Sequence, residues 1–203
     1  GLGDVYKRQA GHSVGEYAAF GAAGYLSIDE AVKLTSARGK FMNDVAVKVN
    51  GGMAAIIGLD SDKIVETLKN VEGIVEAVNF NEPKQTVIAG QKDAIERACV
   101  ALKEAGARRA MPLAVSGPFH SSLMQEAGEK LKEEAEKYNF QMTDIKLVAN
   151  TTAEVLQNVD EIKEEIYKQS FGPVRWVETI QKLKDEGVTQ IYEIGPGKVL
   201  AGL

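Results

Sequence analysis

The sequence predicts an α/β architecture in two parts: a helix-covered parallel sheet and, inserted within it, a smaller module of order β-α-β-β-α-β. Three observations carry that expectation. Short apolar runs of strand length alternate with segments of helical period, as strands joined by covering helices require. From about residue 51 to 112 the alternation becomes self-contained, with two helices among four strands, and the larger pattern resumes after it. The 203 residues suffice for one medium domain, or for a large domain with a small insert.

In chain order, residues 1–9 (GLGDVYKRQ) have neither signal-peptide character nor a clear period, and 5–9 make an unconvincing apolar strand. There is no initiator methionine, and the chain stops soon after a Gly-Pro-Gly turn. It therefore reads as truncated at both ends, with a leader that need not be native; an ordinary disordered terminus is the alternative. A short helix is expected over 13–24, stopped by Gly24. A second follows over 29–45, with Ser27 or Asp29 near its cap and Ala31, Leu34, Phe41 and Met42 on its apolar side. The insert begins with an apolar strand at 53–59 and a helix over 61–70. Strands at 74–80 and 86–89 come next, joined by the turn Asn81-Glu82-Pro83-Lys84. A helix over 93–105 ends at Gly106, and a strand at 108–113 completes a ferredoxin-like order. The insert thus spans 51–112, and residues 1–50 with 113–203 form the main domain. There, Leu123, Ala127, Leu131, Ala135 and Tyr138 make a helical stripe over 121–138. A strand at 146–149 and a helix over 161–169 follow. The last helix spans 173–186, with Pro173 in its first turn and Gly187 past its end. A final strand is expected at 190–194.

Composition narrows the function. With 24 basic and 29 acidic side chains the formal net charge is −5, which argues against nonspecific nucleic-acid binding. Apolar residues make up 44% of the chain, enough for a core and too many for a disordered class. No apolar run approaches the ~18–20 residues that span a bilayer, so no membrane partner is expected. Cys99 is the one cysteine; it allows no internal disulfide, suits a reducing cytoplasm, and its neighbours Ile95, Ala98 and Leu102 suggest a core thiol.

Three polar residues carry chemistry. Gly11-His12-Ser13-Val14-Gly15 matches the G-x-S-x-G nucleophile elbow, where a serine sits on a sharp strand-to-helix turn flanked by glycines. A glycine-rich turn is the alternative. Serine needs a base to act as a nucleophile. Of the two histidines, His12 should point away from the Ser13 hydroxyl around the turn, which leaves His120. His120 lies just ahead of the 121–138 helix, whose dipole would help keep the imidazole neutral; a capping or packing histidine is the other reading. Arg38 falls on the apolar side of the second helix, where an unpaired guanidinium is costly, so it should meet a carboxylate. It could equally snorkel outward or pair with an internal Glu or Asp.

The segments GHSVGEYAAF (11–20), SARGKFM (36–42), NFNEPKQTVIAG (79–90), SGPFHSSLM (116–124), Gln169 with GPVRW (172–176) and EIGPGKVLAGL (193–203) run through nearly the whole chain. In this order and spacing they resemble the malonyl-CoA:acyl carrier protein transacylase family and the related acyltransferase domains of fatty-acid and polyketide synthases. The resemblance implies a hydrolase-like α/β domain with a ferredoxin-like insert, and a ping-pong malonyl transfer in fatty-acid biosynthesis. Its partners would be malonyl-CoA and acyl carrier protein; no cofactor is implied, malonyl-CoA being a substrate. By the same likeness Ser13 is the nucleophile and His120 its base, the other ring nitrogen held by a main-chain carbonyl near Gln169. Arg38 would hold the malonyl carboxylate, the Val14 N–H would be an oxyanion donor, and Asn81 would lie near the site. Phe119 matches a malonyl-selecting pattern. Acyl carrier proteins are acidic, so Lys40, Arg175 and Lys198 are candidates for a basic docking patch. Family members carry a glutamine-containing loop ahead of the elbow that supplies a second oxyanion donor. Residues 1–9 do not replace it, so the chain as written is expected to load malonyl poorly. A serine esterase or thioesterase with the same dyad, and a noncatalytic docking module for acyl carrier protein, are the rival readings.

Overall fold

Residues 8–203 are described by a computed structural model of the chain. Strand β1 (Arg8–Gln9) lies parallel to Lys146–Leu147, and the Gln9 carbonyl accepts the Val148 N–H at 3.0 Å. Residues 5–7 lie outside the described residues; Arg8 and Gln9 form a strand that no side-chain period announces, because ladder bonds need only backbone. The chain then turns at Ser13 into helix α1 (Val14–Ala22) and, past Gly24, into α2 (Ile28–Ala46). Ser27 caps α2 through a reciprocal box: its Oγ accepts the Glu30 N–H at 3.3 Å, and Glu30 Oε2 accepts the Ser27 N–H at 3.1 Å.

The middle segment contains β2 (Gly51–Ile57), α3 (Ser61–Leu68), β3 (Val75–Glu82), β4 (Gln85–Gln91), α4 (Lys92–Glu104) and β5 (Arg109–Pro112). Its sheet has the order β3-β4-β2-β5 with every neighbour antiparallel. One face packs Ala54, Ile56 and Ile88 against Ile64, Leu68, Ile95, Ala98 and Leu102. The other packs Met53, Val78, Val87 and Ala89 against Phe119. Burial on both faces explains why β2 and β4 read as continuous apolar runs. The hairpin is tighter than expected: Glu82 pairs with Gln85 across a two-residue turn at Pro83-Lys84, which puts Asn81 inside β3. Cys99 is half-buried against this core, and burial pushes its thiol pKa up.

Beyond it come a 3₁₀ turn (Ser122–Met124), α5 (Gln125–Ala135), β6 (Lys146–Leu147), α6 (Val159–Gln169) and α7 (Trp176–Asp185). Tyr17, Phe20, Tyr25 and Leu34 pack with Leu131, Leu147, Ile162 and Ile166 into the main core. Helix α7 starts three residues later than Pro173 suggests. Val174 is held extended, donating to the Val78 carbonyl at 2.7 Å and accepting from Phe80 N–H at 2.9 Å, while Arg175 N–H donates to the Asn150 carbonyl. This short bridge ties β3 to the segment ahead of α7. Residues 190–194 form no strand: Ile191, Tyr192 and Ile194 are exposed, the last at 94%. An apolar pattern cannot make a strand without a neighbouring ladder, and none among the described residues reaches this segment. No helix among the described residues is long and apolar enough to cross a membrane.

Candidate active site

Ser13 sits at φ 53°, ψ −114°, a left-handed backbone that costs a side-chain-bearing residue about 1–3 kcal/mol. Its neighbours hold it there. The Ser13 N–H donates to Asn150 Oδ1 at 2.8 Å, and the Ser13 carbonyl accepts from Gln169 Nε2 at 2.7 Å. Asn150 Nδ2 also donates to the Gly11 carbonyl at 2.6 Å, so one carboxamide clamps both sides of the turn. The two glycines differ in why they are there. A Cβ on Gly11 would stand 2.1 Å from the Gly15 carbonyl group, which forbids any side chain. A Cβ on Gly15 would meet nothing within 4 Å, so the close approach constrains only Gly11 of the two.

His120 is the second non-glycine residue at positive φ, 68°, and it is 4% exposed. Its Nε2 lies 2.8 Å from Ser13 Oγ and its Nδ1 lies 2.8 Å from the Gln169 carbonyl oxygen. A carbonyl can only accept, so Nδ1 carries the hydrogen and Nε2 offers its lone pair to the Ser13 hydroxyl. Burial, then the charge of Arg38, drives the His120 pKa down to about 3. The helix-dipole argument for its neutrality does not hold, because α5 begins only at Gln125; desolvation does that work.

Arg38 is 7% exposed on α2, with Nη2 donating to Ser13 Oγ at 3.0 Å and Nε to Gln169 Oε1 at 3.2 Å. Its guanidinium lies 5.2 Å from the Tyr17 ring centroid. Among the described residues no carboxylate forms an ion pair with it. His12 turns to β3, where its Nε2 donates to Asn81 Oδ1 at 2.8 Å, and its ring meets Trp176 edge-on. The Val14 N–H, at the start of α1, has no partner among the described residues.

Ser13, His12, Arg38, Asn81 and His120 line a cleft of about 500 Å³ between the middle segment and the elbow, with Asn79 and Phe119 on its wall. A cavity of similar size between α1 and α2 is lined by Ala18, Gly21, Ile28, Val32 and Thr35 among others and offers no titratable group. Of the candidate docking cations, Lys40 pairs with Asp44 and Arg175 with Glu178, each at 2.7–2.8 Å, while Lys198 is exposed. Among the described residues no three His, Cys, Asp or Glu side chains gather as a metal site. Sequence reasoning missed Glu16, Asn150 and Glu165, all buried beside the elbow. A signal existed for Glu16, the only charge in the apolar α1.

Comparison with known proteins came out consistently. Residues 7–202 match the family model of the acyl transferase domain. The chain is 47% identical over 197 residues to the malonyl CoA-acyl carrier protein transacylase of Bacillus subtilis (strain 168), covering 96% of this chain and 62% of that protein. The crystal structure of an acyl-carrier-protein S-malonyltransferase from Burkholderia pseudomallei 1710b superimposes with a TM-score of 0.94 at 48% identity, over 97% of this chain and 65% of that one. A malonyl-transacylase in complex with its type II polyketide acyl-carrier protein superimposes with a TM-score of 0.93 at 44% identity, over 97% and 64%. The chain thus spans less than two thirds of the relatives it matches.

Proposed function

The chain belongs to the acyl transferase domain family, and on that premise we propose that Ser13 takes a malonyl group from malonyl-CoA and passes it to the pantetheine thiol of an acyl carrier protein. As Ser13 Oγ attacks the thioester carbonyl, its proton moves to His120 Nε2 and the carbonyl electron pair moves onto oxygen. The free Val14 N–H, at the positive end of α1, faces that developing charge. Collapse breaks the C–S bond, and coenzyme A leaves with the proton from His120. In the second half the carrier thiol gives its proton to His120, attacks the ester carbonyl and releases Ser13, which recovers the proton. The Gln169 carbonyl stays on Nδ1–H throughout, in the orienting place that a carboxylate fills in a serine triad.

Arg38 carries the choice of substrate. A buried guanidinium beside the nucleophile and without a carboxylate is matched by an acyl group that brings its own, bound through the planar fork. The malonyl carboxylate would also cancel the charge that, after burial, depresses His120. A carboxylated substrate thereby strengthens its own base, and a neutral acyl group does not. Phe119 on the cleft wall supports malonyl over a bulkier acyl group, and Asn81 supports the wall by holding His12.

Intact mass after incubation with malonyl-CoA tests this. The chain should gain one malonyl group, at a low rate, and Ser13→Ala none; an adduct on Ser13→Ala would discard the nucleophile. Arg38→Gln should lose the preference for malonyl over acetyl, whereas an esterase using the same dyad would be indifferent. Binding of acyl carrier protein with no adduct at all would favour a docking module. The four-stranded β3-β4-β2-β5 sheet, built from residues of this segment, supports 51–112 as an insert in a domain made of 1–50 and 113–203. Work in the cytoplasm is supported by the lone cysteine.

A further inference from the structure

Two carboxyl groups that this reaction does not use lie buried against the elbow. Glu16 is fully buried on α1, one turn past Ser13, and Glu165 is 3% exposed on α6. Buried carboxylates are ordinarily matched by a cation. Among the described residues neither makes an ion pair, and Arg38 gives its hydrogens to Gln169 and Ser13 instead. The partners are neutral donors. Glu16 Oε1 accepts the Asn150 N–H at 2.9 Å and its Oε2 accepts from Gln169 Nε2 at 2.8 Å. Glu165 Oε1 accepts the Thr151 N–H at 3.0 Å, and its Oε2 accepts the Thr151 hydroxyl. The two carboxyls thus accept from successive backbone N–H groups, those of Asn150 and Thr151, within one buried site. Two like charges in a buried site without a cation cannot both ionise.

We propose that Glu16 and Glu165 hold one proton between them and that the pair positions the acyl-transfer site. Each carboxyl already takes two hydrogens, Glu16 from Asn150 and Gln169 and Glu165 from Thr151, and each has room for one more from the other. Burial, with the charge of Glu165 adding to it, raises Glu16 well above the carboxyl range, and burial raises Glu165 as well.

The positioning runs through two side chains. Gln169 Nε2 has two hydrogens, one on the Ser13 carbonyl and one on Glu16, and this forces Oε1 toward Arg38. Asn150, which clamps the elbow through its carboxamide, gives its own N–H to Glu16. Without an acceptor at Glu16, Gln169 is free to turn its NH₂ toward Arg38, whose guanidinium would then swing off Ser13. The charged and titratable groups around the pair include Arg38 from α2, Tyr17 from α1 and Lys168 from α6.

The role rests on the acyl-transfer reading, so the test separates the two. An infrared difference spectrum at neutral pH, wild type minus Glu16→Gln, should show the C=O band of a protonated carboxyl group in the wild type that the variant lacks. Labelling of Ser13 by a fluorophosphonate, which needs no malonyl group, reads the positioning. Glu16→Gln keeps a donor for Glu165 but, an amide nitrogen being unable to accept, only one acceptor for the two hydrogens that Asn150 and Gln169 give, so its labelling should fall between wild type and Glu16→Met. Glu16→Met, similar in length without those polar atoms, should slow labelling by about 10²-fold while circular dichroism still shows a folded chain. Absence of the band overturns the shared proton. Wild-type labelling in Glu16→Met overturns the positioning role. Should Glu16→Met not fold, the band decides the proton, and wild-type labelling in Glu16→Gln overturns the positioning. Normal Ser13 labelling in a chain that never accepts malonyl would sink the acyl-transfer reading and leave the carboxyl pair standing.

Discussion

The four-stranded middle segment and the elbow around Ser13 are built on opposite plans. In the first, Ile56, Ile64, Ile88 and Leu102 fill an apolar core, and Cys99 lies half-buried at its margin. In the second, Glu16, Arg38, His120, Asn150, Glu165 and Gln169 are all buried, and nearly every polar atom among them has a named partner. An apolar core tolerates substitution in proportion to the volume lost. A buried polar network instead fails when one member leaves the others unmatched. The first plan supplies stability, and the second holds two strained residues, Ser13 and His120, at 2.8 Å.

The largest expected effect is on the elbow itself. Gly11→Ala drives a Cβ into the Gly15 backbone at 2.1 Å, so Ser13 must leave its position; fluorophosphonate labelling should fall by about 10²-fold or more. Gly15→Ala, with open space around its Cβ, should label within a few-fold of wild type. If both fall equally, the elbow is limited by something other than that close approach.

The middle segment should respond in stability and spare the chemistry. Leu102→Ala removes a fully buried side chain and should cost about 2–5 kcal/mol in urea unfolding. Ser13 labelling, measured at low urea, should be nearly unchanged. A matching loss of labelling would mean that the two regions are one cooperative unit for function.

The smallest effect sharpens the comparison through pH. Between about 4.5 and 6.5 the unfolded chain binds a proton at His120 that the folded chain refuses, which makes stability rise with pH. Over the same window the folded chain keeps a proton on Glu16 that the unfolded chain releases, which makes stability fall with pH. The two contributions oppose, so the site should add little slope. Glu16→Gln removes the second one, and its stability should rise with pH through this window by up to about 1.4 kcal/mol per unit relative to wild type. A parallel pair of pH profiles would contradict the protonation states assigned to both residues.

Legibility followed the same division. Period and length placed every element of the middle segment to within a few residues, because its apolar faces are satisfied by neighbours that the pattern itself implies. The pattern failed at 190–194, where apolar residues meet no ladder, and at 173–175, where Val174 and Arg175 bond to β3 and Asn150 instead of opening a helix. At the site, the residues with distinctive chemistry were readable as candidates. Asn150 and Glu165 were not, since a buried amide or carboxylate on a helix or strand end looks in sequence like any exposed one.

By itself, then, the sequence determined which chemistries were available: one hydroxyl on a glycine-flanked turn, one imidazole free to serve it, and one cation on an apolar helix face. Tertiary structure alone decided that these meet, across 107 residues between Ser13 and His120 and 25 between Ser13 and Arg38. It also decided that the imidazole is neutral and that two glutamates sit behind the turn without a cation. The physical reason is that period and propensity act over a few residues. Burial, pKa and hydrogen-bond partnership depend on what the folded chain brings alongside.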